Sequence, residues 1–285
     1  MIPFAIHARP GRTSFWVLSW FLFALSCGLY LYTARQRHIE NPDDKVVPTL
    51  LQLGAGFREA ALQPDADEEQ SADFEHWSLP QKFLHSMLWK DTVASGKRFC
   101  WAMLTLVPAV LLGLHMGVFP YFGAFFLRFI LFFDKIIAFS VLPILFIVFG
   151  IDELSKLMLI VIGVAPTVIL DVFNLSKGVP REQIVKGFSL GAGDFGVAYR
   201  VVLNQIWPRI FNSIRLNLKP IMLFLFAGEM IASNSGLAYR IALLRRHMGM
   251  NIIIPYVLWV ALLLFLLDLS FRWANKRLHP WFREE

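Results

Sequence analysis

Long, continuous apolar segments restrict the fold of this chain more than any other feature of its sequence. The runs show no two-residue alternation, so they differ from the strands of a membrane β-barrel. A helix satisfies its own backbone hydrogen bonds, as lipid requires. We therefore predict an all-α fold, a polytopic transmembrane helical bundle of about six spans. The segment 122–133 is either the start of the span that follows it or a bent segment. The predicted spans are 15–32, 99–118, 135–149, 154–173, 218–232 and 252–271.

The composition agrees with a membrane protein. Of the 285 residues, 56% are hydrophobic, and the mean hydropathy is +0.56. A soluble domain could not bury so much apolar surface. The net charge of +6 is attributed to cytoplasmic ends that follow the positive-inside rule, so no nucleic-acid partner is expected. The two cysteines, Cys27 and Cys100, are too few for a disulfide framework or a metal site.

Basic residues predict that both chain ends lie in the cytoplasm. Arg9 and Arg12 precede the first span, and a basic tail at 272–285 follows the last one. Cytoplasmic segments near membrane spans carry an excess of lysine and arginine. Arg35 and Arg37 favour the opposite orientation, so the prediction depends on the balance of charge.

The first hundred residues divide into two predicted parts. Residues 1–32 form a cytoplasmic end and a first span, because this apolar run is long for a cleaved signal peptide, the alternative interpretation. Residues 33–98 are polar and periplasmic, and Leu50–Leu62 and Gln81–Trp89 could each form a short amphipathic helix. This segment is either a solvated linker or a cap that contacts a substrate-delivery protein.

A polar, glycine-rich insert interrupts the apolar segments of the 99–271 core. We expect a helix-turn-helix across the cytoplasmic face, at about 176–217, that docks a soluble partner. An ordinary interfacial connector is the alternative. The glycines permit tight backbone contact, and lipid would not accept the charge of Arg200. The candidate coupling residues are Gly187, Leu190, Gly191, Ala192, Gly193, Arg200 and Pro208.

Glu229 is an ionisable residue inside an apolar stretch, where a charge is costly and usually functional. The alternatives are gating support, substrate contact, or a structural hydrogen bond to a neighbouring helix that involves Ser233 or Asn234. Asp268, in the last span, is expected to pair two helices. The pathway or gate candidates are Glu229, Met230, Ser233, Asn234, Ser235 and Gly236.

The sequence lacks the motifs of common catalytic sites. It has no phosphate-binding Gly-x-x-x-x-Gly-Lys-Ser/Thr loop, so the chain is not expected to hydrolyse ATP. No Gly-x-Ser-x-Gly elbow and no His-x-x-x-His or Cys-x-x-Cys spacing occurs, so we predict neither catalysis nor a metal site. A membrane-embedded enzyme is the least favoured class.

Several motifs, in order, resemble the permeases of binding-protein-dependent ABC importers of the nitrate/sulfonate/taurine type. The likeness covers about 88–282. The matching segments are 91–95 with Arg98, Leu142-Pro143, 149–151, Ser155-Lys156, 190–192, 200–203, Pro208, Arg215-Leu216, 228–232, 235–239 and Pro280-Trp281. The sequence departs from this family at Val185-Lys186-Gly187, where Glu-Ala-Ala is usual, at Leu203-Asn204, and at 134–137, where Arg-x-x-Pro is common.

This resemblance implies a type I permease fold in the bacterial inner membrane. It implies a homodimeric pore in lipid, two ATPase subunits that carry ATP and magnesium, and a periplasmic substrate-binding protein. The chain itself would hold no cofactor. The loop helix would sit in a groove of the ATPase, and the solute would be a small anion such as a sulfonate or nitrate. A non-transporting scaffold or degenerate paralogue that recruits partners through 33–98 is the alternative.

Overall fold

The computed structural model describes residues 12–40, 46–63, 78–246 and 248–282, which form helices joined by short turns. The all-α prediction is confirmed over these residues, and a π-helix, Val197–Val202, joins two of the α-helices. The α-helices are α1 Arg12–Glu40, α2 Leu50–Leu62, α3 Leu79–Leu84, α4 Met87–Val118, α5 Pro120–Asp134, α6 Ala138–Phe149, α7 Glu153–Lys177, α8 Arg181–Ser189, α9 Asp194–Gly196, α10 Leu203–Leu216, α11 Leu218–Ala232, α12 Leu237–Arg245 and α13 Met250–Leu278.

Four stretches of the described residues are long and apolar enough to cross a membrane. They are Met87–Val118, Glu153–Lys177, Asp194–Ala232 and Met250–Leu278. Helices α5 and α6 make a fifth span if the bent pair is taken as one. Helix α1 covers the predicted first span but is not among these stretches, so its crossing stays a prediction.

Two predicted boundaries differ from the structure because charged residues lie inside helices. Helix α4 begins at Met87 rather than near residue 99, and the hydroxyl of Ser86 caps it by accepting a hydrogen bond from the Trp89 amide at 3.2 Å. The predicted span at 218–232 is the end of a helical stretch that begins at Asp194. The second half of the polar insert therefore continues directly into the membrane.

Helices α4 and α7 pack side by side in parallel. A Cβ added to Gly113 would lie 2.6 Å from the Ile169 carbonyl oxygen, and one added to Gly117 would collide with the Ser176 side chain. Two glycines four residues apart let helix backbones approach closely in lipid. At the other end of the pair, Arg98 contacts Glu153, so the two helices run in the same direction.

This parallel packing fixes what lies between the two helices. The last turns of α4 and α7 lie at the same end of the bundle. The chain between the two helices must therefore run back to the opposite end, where α7 begins. Helices α5 and α6 form that connection and bend by 97° at their break. The segment 122–133, predicted either to begin the next span or to bend, belongs to this broken crossing.

Short helices cover the end of the bundle at which α13 begins. Helix α2 has the predicted bounds Leu50–Leu62, and its Gly56 fits directly against the backbone carbonyl of Asn251. Phe57 and Phe83 both contact the ring of Trp259. The predicted second helix, at 81–89, is instead the short α3 followed by the start of α4. The described part of 46–98 therefore packs on the bundle.

Candidate functional site

The polar insert makes a tight turn at one end of the bundle. Helix α8 ends at Ser189, and the Gly191 amide donates to the Phe188 carbonyl at 2.9 Å. Gly191 has φ +83°, a left-handed conformation that glycine adopts at no steric cost. Ala192 and Gly193 then lead into α9. The predicted helix-turn-helix is therefore present, and Gly191 is its turning point.

Gly187 lies beneath this turn, where α8 crosses the π-helix. It is buried, and a Cβ added to it would lie 3.3 Å from methyl groups of both Val197 and Val201. A side chain at this position would require the two valine side chains to shift by a few tenths of an ångström. The turn is consequently held at a fixed distance from the helix that leads into the membrane.

The tip of the turn exposes apolar side chains. Leu190 is 83% exposed and Phe195 is 65% exposed, and Val185 and Phe188 are also exposed. Such a cluster on a polar loop is typical of a protein-docking surface. We call these four side chains the tip cluster.

Arg200 and Pro208, predicted with the turn, lie apart from it. Arg200 is exposed on the π-helix. Pro208 is buried in α10, and its carbonyl accepts a hydrogen bond from the side-chain amide of Asn275 on α13 at 3.2 Å. Residues 272–278 of the predicted tail are the last turns of α13. Pro208 therefore joins two helices of the bundle instead of facing outward.

A cluster of aromatic residues, which the sequence analysis missed, links the turn to α4. The Tyr199 hydroxyl lies 3.1 Å from Nε2 of His115, and the rings of Phe119 and Phe195 are 5.4 Å apart. His115 and Phe119 stack at 5.8 Å. Aromatic residues are common throughout this apolar chain, so no sequence signal separated these from the others.

Glu229 lies at the opposite end of the bundle and is fully buried. Its carboxylate accepts hydrogen bonds from Ser95 at 2.8 and 2.9 Å, from Arg98 at 2.9 Å and from the Ala238 amide at 3.1 Å. The structural hydrogen bond to a neighbouring helix is present, but its partners are on α4 and at the start of α12 rather than at Ser233 or Asn234. A buried charge is stable only with partners such as these.

The segment after Glu229 folds back over the carboxylate. Gly236 has φ +126°, and a Cβ there would lie 2.7 Å from the Glu229 carboxylate. Asn234 and Ser235 are exposed, and the Ser235 carbonyl accepts from Arg98 at 2.8 Å. Met230 is also exposed. The six gate candidates thus form one buried anchor and one outward turn.

A second buried carboxylate holds the same turn. Asp91 accepts hydrogen bonds from the Gly236 amide at 3.1 Å, the Arg240 guanidinium at 2.9 Å and the Tyr256 hydroxyl at 3.2 Å. It therefore ties the start of α4 to α12 and α13. Together, Asp91 and Glu229 fix the turn on α4.

Arg98 extends this network to a third span. Its Nε and Nη2 contact the two carboxylate oxygens of Glu153 at 2.7 and 2.9 Å. Glu153 also accepts from Lys156 at 2.9 Å. Arg98, which matched the family motif without a predicted role, therefore joins α4, α7 and α11. In the sequence, the one sign of this role was that Arg98 follows Ser95 by three residues. The other charged residues of 33–98 pointed instead to a solvated linker.

Asp268 pairs helices, as expected. It contacts Arg215 of α10 at 3.2 Å and Arg272 of its own helix at 2.9 Å. Asp171 of α7 also pairs with α10, because it accepts a hydrogen bond from the Ser213 hydroxyl at 2.6 Å. Helices α7, α10 and α13 are consequently joined by polar contacts near the turn.

Comparison with known proteins places this geometry in a family. Residues 109–284 match the binding-protein-dependent transport system inner membrane component family. The taurine transport system permease protein TauC of Escherichia coli (strain K12) is 30% identical over 209 residues, covering 72% of this chain and 75% of TauC. The putative aliphatic sulfonates transport permease protein SsuC of Bacillus subtilis (strain 168) is 26% identical over 217 residues, covering 71% of this chain and 78% of SsuC.

These matches favour a permease over the scaffold alternative. The match to the family includes both the turn and the Glu229 segment, and the helical bundle agrees with it. An importer of this family works with an ATPase and a substrate-binding protein, so this chain has partners of both kinds. The chain belongs to the binding-protein-dependent transport system inner membrane component family and is a multi-pass membrane permease subunit of an ABC importer.

Proposed function

We propose that this permease imports taurine or a related small sulfonate as a homodimer in the bacterial inner membrane. The observation that carries the substrate class is the similarity to TauC, at 30% identity over most of both chains. SsuC, which is named for aliphatic sulfonates, supports the same class. Nitrate, the other anion expected from the sequence, has no such support.

The tip cluster is proposed to dock on a separate ATPase that binds ATP and magnesium, while the permease itself holds no cofactor. Its apolar side chains suit a groove in a soluble partner. Behind them, helix continues from Asp194 to Leu216 and, after a turn at Asn217, through α11 to Glu229. Movement of the docked turn would therefore reach the buried network along a continuous helical element.

The Glu229 end is proposed to face the periplasm and the substrate-binding protein. The coupling segment contacts α4 near its end, at His115, and this network contacts α4 near its start, at Ser95 and Arg98. We therefore assign them to opposite sides of the membrane. Helices α2 and α3 cover the Glu229 end, together with the Ser233–Gly236 turn. We assign to these elements the outer gate of the permease.

Reconstituted transport tests this function. The permease would be purified with an ATPase and a binding protein that copurify with it and placed in lipid vesicles with ATP inside. We expect uptake of labelled taurine or short alkanesulfonates that requires both partners, and no uptake of a neutral sugar. An ATPase that binds but cannot hydrolyse ATP provides the matched control.

Two results would contradict the proposal. Uptake of nitrate without uptake of any sulfonate would overturn the substrate class. A complex that assembles but imports none of these solutes would favour the scaffold.

A further inference from the structure

The break between α5 and α6 places an ion pair beside the middle part of α7. Asp134 is the last residue of α5, and its Oδ2 lies 2.9 Å from Nζ of Lys135. The other oxygen, Oδ1, accepts a hydrogen bond from the Thr167 hydroxyl of α7 at 3.1 Å. This contact fixes the height of the pair along α7.

That height is near the middle of the membrane. Helix α7 runs from Glu153 to Lys177, so Thr167 lies about 21 Å from its outer end and about 15 Å from its inner end. The hydrocarbon core is about 30 Å thick. The four-carbon stem of Lys135 is too short to carry its ammonium to either surface.

Lys135 is nevertheless open to its surroundings. Its side chain is 78% exposed, whereas that of Asp134 is 15% exposed. Among the described residues, Asp134 is the one ion-pair partner of its ammonium, which has three N–H donors. A charge at this depth is accepted where it faces protein or a water-filled path rather than lipid.

The surroundings of Thr167 fit such a path. A cavity of about 530 Å³ between α7, α11 and α13 is lined in part by Thr167, Asn217 and Lys219 among mainly apolar residues. The ion pair adjoins it through the hydrogen bond from Thr167 to Asp134, while Lys135 lies outside its lining. Few polar groups in an apolar wall are typical of small-molecule sites. Broken helices at membrane depth also form the substrate sites of many transporters.

We propose that Lys135 lines the translocation path and receives the anionic group of the substrate midway across the membrane, with Asp134 as its positioning residue. This inference rests on the proposed import of a sulfonate. In the resting state, Asp134 neutralises Lys135 and so makes its charge tolerable in the apolar interior. When an anion arrives, the remaining N–H groups of Lys135 bind its oxygens without displacing Asp134.

The proposed homodimer would double this site. Two copies related by a two-fold axis place two equivalent side chains around it. One sulfonate, with three oxygens, would then meet two ammonium groups. A neutral or cationic solute gains nothing from this pair.

Uptake by charge variants tests the role. In reconstituted vesicles, Lys135→Gln is expected to reduce sulfonate uptake at low substrate by about tenfold or more, the effect of losing one strong contact. Lys135→Arg keeps the charge and should retain most uptake. The exposed Lys276→Gln on the last turn of α13 is the matched control and should behave as the wild type. Because Lys135→Gln leaves Asp134 unpaired, the neutral pair Asp134→Asn with Lys135→Gln is measured beside it.

Chemical labelling tests the position independently of transport. Lys135→Cys is placed in a permease in which Cys27 and Cys100 are changed to serine. A water-soluble thiosulfonate reagent that itself carries a sulfonate should modify this cysteine, because the inference places it in a water-filled path. Reaction with a lipid-soluble maleimide alone would show that Lys135 faces lipid and would overturn the inference.

The two proposals fail separately. If the wild type imports sulfonates and Lys135→Gln imports them equally well, the inference about Lys135 is wrong while the proposed function stands. If the wild type imports no sulfonate, the proposed function fails, and this inference fails with it as stated.

Discussion

The hydroxyl of Tyr199 lies 3.1 Å from Nε2 of His115 and joins the π-helix of the insert to α4. Nδ1 of His115 lies 2.6 Å from the Leu111 carbonyl, which can only accept a hydrogen bond. Nδ1 therefore carries the proton, Nε2 accepts, and Tyr199 donates. This contact connects the turn to the span that carries Ser95 and Arg98.

We predict that Tyr199→Phe weakens coupling without preventing assembly. One hydrogen bond of about 0.5–1.5 kcal/mol is lost, and the aromatic packing remains. The stimulation of ATP hydrolysis by loaded binding protein should fall several-fold, measured in reconstituted complexes. Tyr121→Phe is the control, since Tyr121 is 94% exposed. Equal stimulation in both variants would show that the contact is only structural.

Gly191→Trp should insert into the membrane but lose transport-coupled ATP hydrolysis. The φ of +83° strains any side chain, although no atom would lie within 4 Å of an added Cβ. The effect should therefore come from backbone strain and from bulk at the docked face. Gly193→Ala, beside the same turn, should be tolerated because Gly193 has an ordinary φ of −75°. Wild-type stimulation in Gly191→Trp would mean that the turn does not contact the ATPase.

Glu229→Gln should impair uptake more than it impairs insertion or ATPase assembly. The amide keeps the shape, but its NH₂ group faces donors from Ser95, Arg98 and Ala238. Breaking a buried pair costs roughly 3–5 kcal/mol, and here the loss should loosen the Ser233–Gly236 turn. Uptake and thermal unfolding of the purified complex would be compared with those of Glu182→Gln, an exposed residue on α8. Unchanged uptake, with lipid-exposed labelling at Ser233, would place this face away from the pathway.

The orientation of the chain is testable with two equally exposed leucines. Leu51 on α2 is 87% exposed and Leu190 on the turn is 83% exposed. An impermeant thiol reagent added to intact cells should modify Leu51→Cys but not Leu190→Cys. Both should react once the membrane is opened, and the reverse pattern in intact cells would invert the topology. Asp67, in the same predicted periplasmic segment, lies outside the described residues.

The sequence predicted most strongly those features that depend on local periodicity and glycine. The apolar runs predicted helices in the right order, but the predicted span at 135–149 is only the second half of the bent pair. The glycines at 187 and 191 lie at a helix crossing and at a turn. The bounds of α2 also followed from its amphipathic pattern. These features depend on neighbours along the chain, which a single sequence displays directly.

Contacts between distant residues were beyond that information. The charges at Asp91 and Arg98 indicated a solvated segment, whereas the structure pairs them with residues more than a hundred positions away. Pro208 looked like part of the coupling turn because nothing nearby in the sequence reveals the hydrogen bond between its carbonyl and Asn275. The ion pair at Asp134 likewise appeared as a departure from a family pattern, because its depth depends on Thr167.

The bent pair of α5 and α6 also bears on how the protein is built during synthesis. Helix α5, with 15 residues, is about 22 Å long, and α6, with 12 residues, is about 18 Å long. Neither reaches across a hydrocarbon layer of about 30 Å, and the break between them carries a charged pair. Such a segment has no stable resting place in lipid until α7 has left the ribosome and supplied Thr167 and its packing face. The nascent permease must therefore keep α4 to α7 together as one unit of insertion, rather than release its helices into the bilayer one at a time.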